Sequence, residues 1–272
     1  MALFVLHPSF VAGYPELDRD IAAWDSLGIL HGSNLVEIPR GSLVVPRFRS
    51  IPFGAELEQE VLSSGSRLIN SYREHRSIAD LYSWVHLLEG LTPPAYGVED
   101  IPRLPEGAYF LKGETNSKKA DWFTSAFAPD REALLQVAFR LMADELIGSQ
   151  KLVIRPFQDY RAIGEDVTGR PIFHERRAFY YRGQLLSEAH YWSGDEYGRP
   201  EPLRPESYAA VQAEAVGRVG GLAPFLVVDY AEYEDGHWGV VELNDGPMAG
   251  LSENSPETLW AALNAAVDSE VI

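Results

Sequence analysis

Along the first hundred positions, apolar residues come in short runs separated by amphipathic stretches: 3–6, then 17–27, then 43–45, then 55–62. Short uninterrupted apolar runs suit buried strands and longer one-sided segments suit helices, so this rhythm predicts β-α-β-α. Leu68-Ile69-Asn70-Ser71 reads as a strand end entering a polar loop, and 77–88 (SIADLYSWVHLL) has apolar residues at helical spacing. The two prolines of LTPPAYG (91–97) then break the chain. A domain junction is placed between there and about residue 107, which divides the chain into an α/β domain over 1–104 and a second domain over 105–272.

The second half has a different texture. Residues 108–111 predict a strand, 131–146 an amphipathic helix, and 151–157 (KLVIRPF) a strand ended by proline. A hairpin is expected within 171–187, turning at Arg182-Gly183-Gln184, and a helix over 205–219 stopped by Gly220-Gly221. Strands at 224–231 and 238–243 flank the turn-rich stretch 232–236, and a helix over 256–267 follows. Antiparallel strands interleaved with helices imply α+β for this half. Neither an internal repeat nor a low-complexity segment is present.

Composition narrows the chemistry. The chain has 272 residues, 46% of them hydrophobic, enough for one large core or two modest ones. No run approaches the roughly 18 apolar residues of a membrane span, and the start (MALFVLHPSF) has no basic segment before its apolar one. A cytoplasmic protein with no membrane partner is expected. With no cysteine, disulfides, thiolate nucleophiles and Cys-based zinc sites are excluded, so any metal is held by oxygen or imidazole. The net charge of -17 opposes broad contact with a nucleic-acid backbone while leaving a small basic groove possible. Nineteen arginines stand against four lysines, Lys112, Lys118, Lys119 and Lys151. Their confinement to one stretch makes each a candidate for work that needs a compact ammonium, against the alternative of leftover surface lysines.

The densest chemistry is in the last hairpin. Asp229 lies in an apolar strand (FLVVDYAEY), and Glu242 and Asn244 lie two apart on the returning one (VVELNDG), so period-two alternation puts their side chains on one face. A turn within 232–237 brings Asp229 alongside. Three oxygen donors, two of them anionic, suit Mg²⁺, which takes its remaining ligands from water and substrate phosphates. The same residues also fit a solvated polar face beside a turn.

The spacing Asp-(x)12-Glu-x-Asn, followed by DGPMAGLS with Gly246 and Gly250, resembles the carboxyl-terminal metal site of the ATP-grasp superfamily. That resemblance implies two α+β subdomains clasping ATP, preceded by a small α/β domain, with Asp229, Glu242 and Asn244 binding Mg²⁺ on the ATP phosphates. It further implies that Lys112, in Tyr109-Phe110-Leu111-Lys112-Gly113, contacts phosphate, and that GETNSKKADW is a mobile loop in which Lys118 or Lys119 adds a second charge. The strand 151–157 then leads to the adenine hinge, with Lys151 or Arg155 on the phosphate or ribose side and Pro156 and Phe157 in the adenine wall. Glu175 and Arg177, in FHERRAFYY, resemble the family's Glu-x-Arg, in which the acid orients the nucleotide and the arginine meets the transferred phosphate; an ordinary cross-strand ion pair is the competing account. The full set is similar to the subgroup named for two arginines and one lysine, over about residues 105–270. One departure stands out: many amino-acid ligases of the superfamily carry arginine two residues before the metal-binding Asp, where this chain has Val227. Arg177 or Arg155 is the expected substitute, alongside Lys112, in catalysis. Arg47 and Arg49, alternating on an expected strand (VVPRFRSIPFG), fit either a face turned toward the cleft, with Arg47 binding an anionic acceptor, or a solvated edge strand; Arg47 and Gly250 are assigned to substrate.

The resemblance implies a Mg-ATP-dependent ligase that joins a small-molecule or peptide carboxylate to an amine through an acyl phosphate, releasing ADP and phosphate. Two rivals keep the nucleotide site: phosphoryl or adenylyl transfer to a nucleic-acid end, and a non-catalytic nucleotide-binding module. No Walker A pattern, GxGxxG after a strand, or nucleophile elbow competes.

Overall fold

A computed structural model describes residues 2–8, 15–48, 54–118, 122–192 and 205–269. In the amino-terminal half, β1 (Leu3–Leu6), α1 (Pro15–Leu27), β2 (Leu30–Gly32), β3 (Leu43–Pro46), α2 (Gly54–Ser63) and β4 (Arg67–Leu68) build a parallel sheet in the order β2-β1-β3-β4. β1 and β3 are buried along their whole length because helices cover both faces. Phe4 and Val44 meet Val61 of α2 on one side, while Val5 and Val45 share a core with Trp24 of α1 on the other. The expected β-α-β-α is present; β2 and β4 add two strands too short to show a period. The helix expected at 77–88 is in fact broken. α3 (Tyr72–Ala79) starts earlier, on a capping box between Ser71 and Glu74, and Asp80 ends it and caps α4 (Leu81–Trp84) through the Tyr82 N–H.

β5 (Tyr109–Gly113), α5 (Trp122–Ser125), β6 (Phe127–Ala128), α6 (Arg131–Met142) and β7 (Leu152–Pro156) follow, with the sheet ordered β6-β5-β7. Leu111 and Ile154 face the inner stripe of α6, Leu134, Val137, Ala138 and Leu141. α6 stops short of the expected residue 146 because the Asp144 carboxylate takes the N–H groups of Leu146 and Ile147 into a turn.

The remainder comprises β8 (Ala162–Glu165), β9 (Pro171–Phe173), β10 (Glu175–Tyr181), β11 (Gln184–His190), α7 (Pro205–Val219), β12 (Phe225–Glu232), β13 (Trp238–Asp245) and α8 (Pro256–Ser269). β8 and β9 pair with each other, and the other four form an antiparallel sheet in the order β11-β10-β12-β13. Arg182 and Gly183, both at positive φ (47° and 80°), make the two-residue turn between β10 and β11, a backbone whose twist matches the strands it joins. One face of this sheet packs on α3, α4 and α7. Part of the other, Phe179, Phe225 and Val227, enters the core of the amino-terminal half, where Trp24 meets Trp260 of α8 edge-on at 5.3 Å. The two halves therefore share one core. The polar residues of β10, β12 and β13 begin where that core ends. No helix among the described residues is long and apolar enough to cross a membrane.

Candidate active site

Register decides which charges meet. β10 pairs with β12 so that Arg177 lies opposite Asp229, and β12 pairs with β13 so that Asp229 lies opposite Glu242. Three strands thus bring an arginine and two carboxylates into one row. Arg177 Nε and Nη2 donate to the two oxygens of Asp229, both at 2.8 Å, and Nη1 donates to the Gly250 carbonyl at 2.9 Å. Burial works against this guanidinium's charge, but the attraction and hydrogen bonds of Asp229 outweigh it and hold Arg177 above the ordinary arginine range. Asn244 Nδ2 donates to Asp229 Oδ2 at 2.9 Å.

Lys112 reaches this row from β5 and pairs with Glu242. It is buried, as is Arg155, which lies on the same face of the β5–β7 ladder two pairs away, opposite Phe110. A bulge between β12 and β13 skips Val241, leaving its carbonyl to accept from Arg155 Nη1 at 2.7 Å. Arg155 Nη2 donates to Thr92 Oγ1 and the Pro93 carbonyl, both at 2.6 Å. Burial with no carboxylate in hydrogen-bond contact pulls this guanidinium below its ordinary range. Arg155 therefore staples the β5–β7 sheet to β13.

Between the two sheets lies a cleft, lined on one side by Phe110, Trp122, Pro156, Phe157 and Phe173 and ending at Lys112, Glu175, Arg155 and Glu242. The aromatic rings interlock, with Phe110–Trp122 at 5.7 Å, Trp122–Phe157 and Phe157–Phe173 both at 6.1 Å. Glu175 is buried and accepts the Trp192 indole N–H at 3.3 Å, and Arg170 stacks over the same indole. An apolar slot with a polar, charged end suits a flat base joined to a polyanion.

The expected residues distribute unevenly. Lys112, Arg155, Pro156, Phe157, Glu175 and Glu242 line the cleft. Arg177, Asp229, Asn244 and the Gly250 carbonyl form its adjoining corner. Val227 is fully buried in the shared core, so the position of the absent arginine offers no charge here; the guanidinium on Asp229 belongs to Arg177. Lys151 does not line the cleft. It sits one residue before β7, outside the strand's alternation, exposed in another groove with its ammonium 5.8 Å from the Tyr82 ring centre. Lys118 pairs with Asp144, which holds that carboxyl down at about 2, chiefly through the hydrogen bond between them. Lys119 and Arg49 lie outside the described residues.

Arg47 corrects an expectation. It follows β3 rather than lying in it, and its guanidinium is engaged by protein: Nε to Asp20 Oδ2 at 2.8 Å, Nη1 to the Pro247 and Ala249 carbonyls. Asp20 also takes the Trp260 indole N–H at 2.6 Å. Two arginines, one from each half, thus hold the 247–250 backbone, and Glu16 takes the Leu251 N–H. Gly246 is required by packing, since a Cβ there would lie 2.5 Å from the Phe225 ring. The sequence reading missed Phe110, Trp122, Phe173 and Trp192; only Phe110 carried a signal, alternating with Lys112.

The donor set is of the type Mg²⁺ prefers, hard oxygens, but it is partly engaged. Asp229 already accepts three N–H groups of the roughly four a carboxylate can take, and Glu242 faces an ammonium. No group of three or more His, Cys, Asp or Glu side chains among the described residues is placed to hold a metal. Glu242 and the Asn244 amide oxygen, turned away from Asp229 by its own NH₂, fit such an ion best.

The sequence profile of an ATP-grasp domain, family 3 of the clade named for two arginines and one lysine, matches residues 97–263. A search of curated proteins gave no match. Among solved structures, the D-alanine–D-alanine ligase from Bacillus anthracis complexed with ATP aligns at TM-score 0.65 and 13% identity, covering 100% of this chain and 99% of that one. The D-cycloserine synthetase DcsG aligns at 0.59 and 16%, covering 98% and 100%. A RimK domain ATP-grasp protein from Sphaerobacter thermophilus aligns at 0.56 and 17%, covering 91% and 92%. At these identities the likeness is one of fold.

Proposed function

The chain belongs to the ATP-grasp domains, in family 3 of the two-arginine, one-lysine clade, and on that premise we propose that it is a ligase joining a carboxylate to an amine through an acyl phosphate. The observation that carries the reading is the junction of an aromatic slot with the Lys112–Glu242 and Arg177–Asp229 pairs. The adenine would lie against Phe157 and its neighbours and the triphosphate would extend toward Lys112. Glu242 and Asn244 would hold Mg²⁺, with Asp229 completing the set as its bond to Asn244 is exchanged. Bound there, the ion supplies counter-charge to the phosphates.

An acceptor carboxylate oxygen attacks the γ-phosphorus and the bond to the β-bridging oxygen breaks, giving ADP and an acyl phosphate. Lys112 would stabilise charge on the transferred group and Arg177 would hold Asp229 and the Gly250 carbonyl beside it, so the work is mainly positioning and electrostatics. An amine then attacks the acyl carbon, loses a proton and expels phosphate. Amino acids and short peptides are the first acceptors to try, because the aligned structures include a D-alanine–D-alanine ligase and an ATP-grasp ligase, PsnB, complexed with a precursor peptide. The net charge of -17 disfavours the nucleic-acid alternative.

Incubation with Mg-ATP, a panel of such carboxylates and hydroxylamine as the amine tests this. The expected result is carboxylate-dependent ADP and phosphate with a hydroxamate of the matching mass. AMP and pyrophosphate would replace the acyl phosphate with adenylyl transfer.

A further inference from the structure

Away from the cleft, two histidines meet at the carboxyl edge of the parallel sheet. Val5 of β1 pairs with His31 of β2, and the His7 N–H continues the ladder to the Gly32 carbonyl at 3.0 Å. Side chains alternate along a strand, so His7 shares the face of Val5 and His31 lies beside it, on the side where Val5 packs with Trp24. The Trp24 ring is fully buried and floors both imidazoles, its centroid 5.7 Å from that of His7 and 5.4 Å from that of His31. His7 Nε2 then stands 3.3 Å from His31 Nδ1. The outer nitrogens are held as well: His7 Nδ1 lies 3.3 Å from the Pro8 carbonyl oxygen, and His31 Nε2 lies 3.0 Å from Asp25 Oδ1.

The protons of two neutral imidazoles do not suffice for these three contacts. Each contact needs one N–H, and two neutral rings carry two between them. With the outer nitrogens protonated against oxygen, the inner nitrogens face each other lone pair to lone pair. Moving one proton inward only shifts the conflict to the Pro8 carbonyl. A cation shared by the inner nitrogens removes it. We propose that His7 Nε2 and His31 Nδ1 bind a borderline divalent cation of the Zn²⁺ class. Two imidazoles bound to a tetrahedral ion at about 2.0–2.1 Å place their nitrogens roughly 3.3–3.4 Å apart, which is the separation found here. Asp25 and the Pro8 carbonyl are then the outer partners that fix the tautomer and ring orientation of metal-bound histidines. Among the described residues no group of three His, Cys, Asp or Glu side chains is placed to hold a metal, so water fills the remaining positions. Imidazole selects such ions over Mg²⁺, which prefers the hard oxygens of the cleft.

Calorimetric titration of the chelator-stripped full chain with zinc chloride, in excess Mg²⁺ and without nucleotide, tests this site independently of the ligase reading. One equivalent is expected to bind and to raise the thermal midpoint, since the unfolded chain lacks the pair. His7→Gln and His31→Gln should each abolish that equivalent, and Asp25→Ala should weaken it about 10–100-fold. His237→Gln, at an exposed histidine elsewhere, should leave it unchanged. With Cu²⁺ in place of Zn²⁺, electron paramagnetic resonance should show coupling to two imidazole nitrogens, lost in either His7 or His31 variant. A parent chain that takes up no Zn²⁺ overturns the proposal, as does binding that survives both histidine substitutions; a proton alone between the rings gives the first of these results. If the histidine variants fold poorly, Asp25, whose side chain is 69% exposed, decides: unchanged Zn²⁺ affinity in Asp25→Ala overturns the proposal.

Discussion

The two sides of the cleft hold their residues by different physics. The β5–β7 wall is a set of interlocked rings, Phe110, Trp122, Phe157 and Phe173, whose contacts are many, individually weak and tolerant of small shifts. The β10–β12–β13 corner is a few charges in fixed register, Arg177, Asp229, Asn244 and Glu242, where each group is oriented by the next. A ring lost from the wall leaves its neighbours in place. A charge lost from the corner leaves a buried partner uncompensated. The wall should therefore tune affinity, and the corner should decide both stability and turnover.

The largest expected effect breaks the corner. Arg177→Met or Asp229→Leu alone should lower the unfolding free energy by about 3–5 kcal/mol, measured by urea titration, whereas the two together should recover most of it without recovering turnover. Additive losses in that cycle would mean the pair is not the unit described.

Glu242→Gln comes next. It keeps the shape and removes the charge facing Lys112, and ADP release with a competent acceptor should fall about 10²-fold or more, with the fold intact by circular dichroism. Near-normal turnover would remove Glu242 from the metal and phosphate end.

In the wall, Phe157→Leu keeps an apolar side chain and loses the aromatic face. Nucleotide Kd, followed by calorimetry, should rise only about 3–10-fold, corresponding to roughly 1 kcal/mol of ring contact, with kcat unchanged. A loss matching that of Glu242→Gln would erase the contrast between the two sides.

The smallest effect serves as a control outside both regions. Burial, the neighbouring His174 and Arg176 push His190 down to about 4 from the ordinary 6.5. The unfolded chain takes up this proton first, so the folded state is fully favoured above about pH 6.5 and loses stability as pH falls toward 4. The ring is only half buried, which reduces the contribution to on the order of 1 kcal/mol. Unfolding midpoints at pH 7.5 and pH 4.5 should differ less in His190→Gln than in the parent, with nucleotide affinity at pH 7.5 unaffected.

Much of this architecture was legible in one dimension wherever a local rule operates. Two-residue alternation put Glu242 and Asn244 on one face, glycines ended α7, and the turn at Arg182-Gly183 marked the β10–β11 hairpin. The family resemblance put Lys151 on the nucleotide side, but β7 begins one residue later and leaves it outside the strand. Alternation misjudged Arg47, whose partners are Asp20, 27 residues away, and the carbonyls of Pro247 and Ala249, 200 and 202 residues away.

What the chain's own order of residues settled was therefore the inventory: a metal-type oxygen set spaced along one hairpin, lysines confined to one stretch, no thiol chemistry, and the ATP-grasp identity those spacings carry. What only the folded molecule decided was allegiance. Arg177 belongs to Asp229, Lys112 to Glu242, Arg47 to Asp20 and two backbone carbonyls, and Arg155 to Thr92 and two backbone carbonyls. The reason is that spacing along a strand is set by covalent geometry, which the sequence carries explicitly, whereas the partner of a buried charge is set by which sheets stack and in what register. That depends on the shared core around Trp24, Phe225 and Trp260, built from residues distant in the chain.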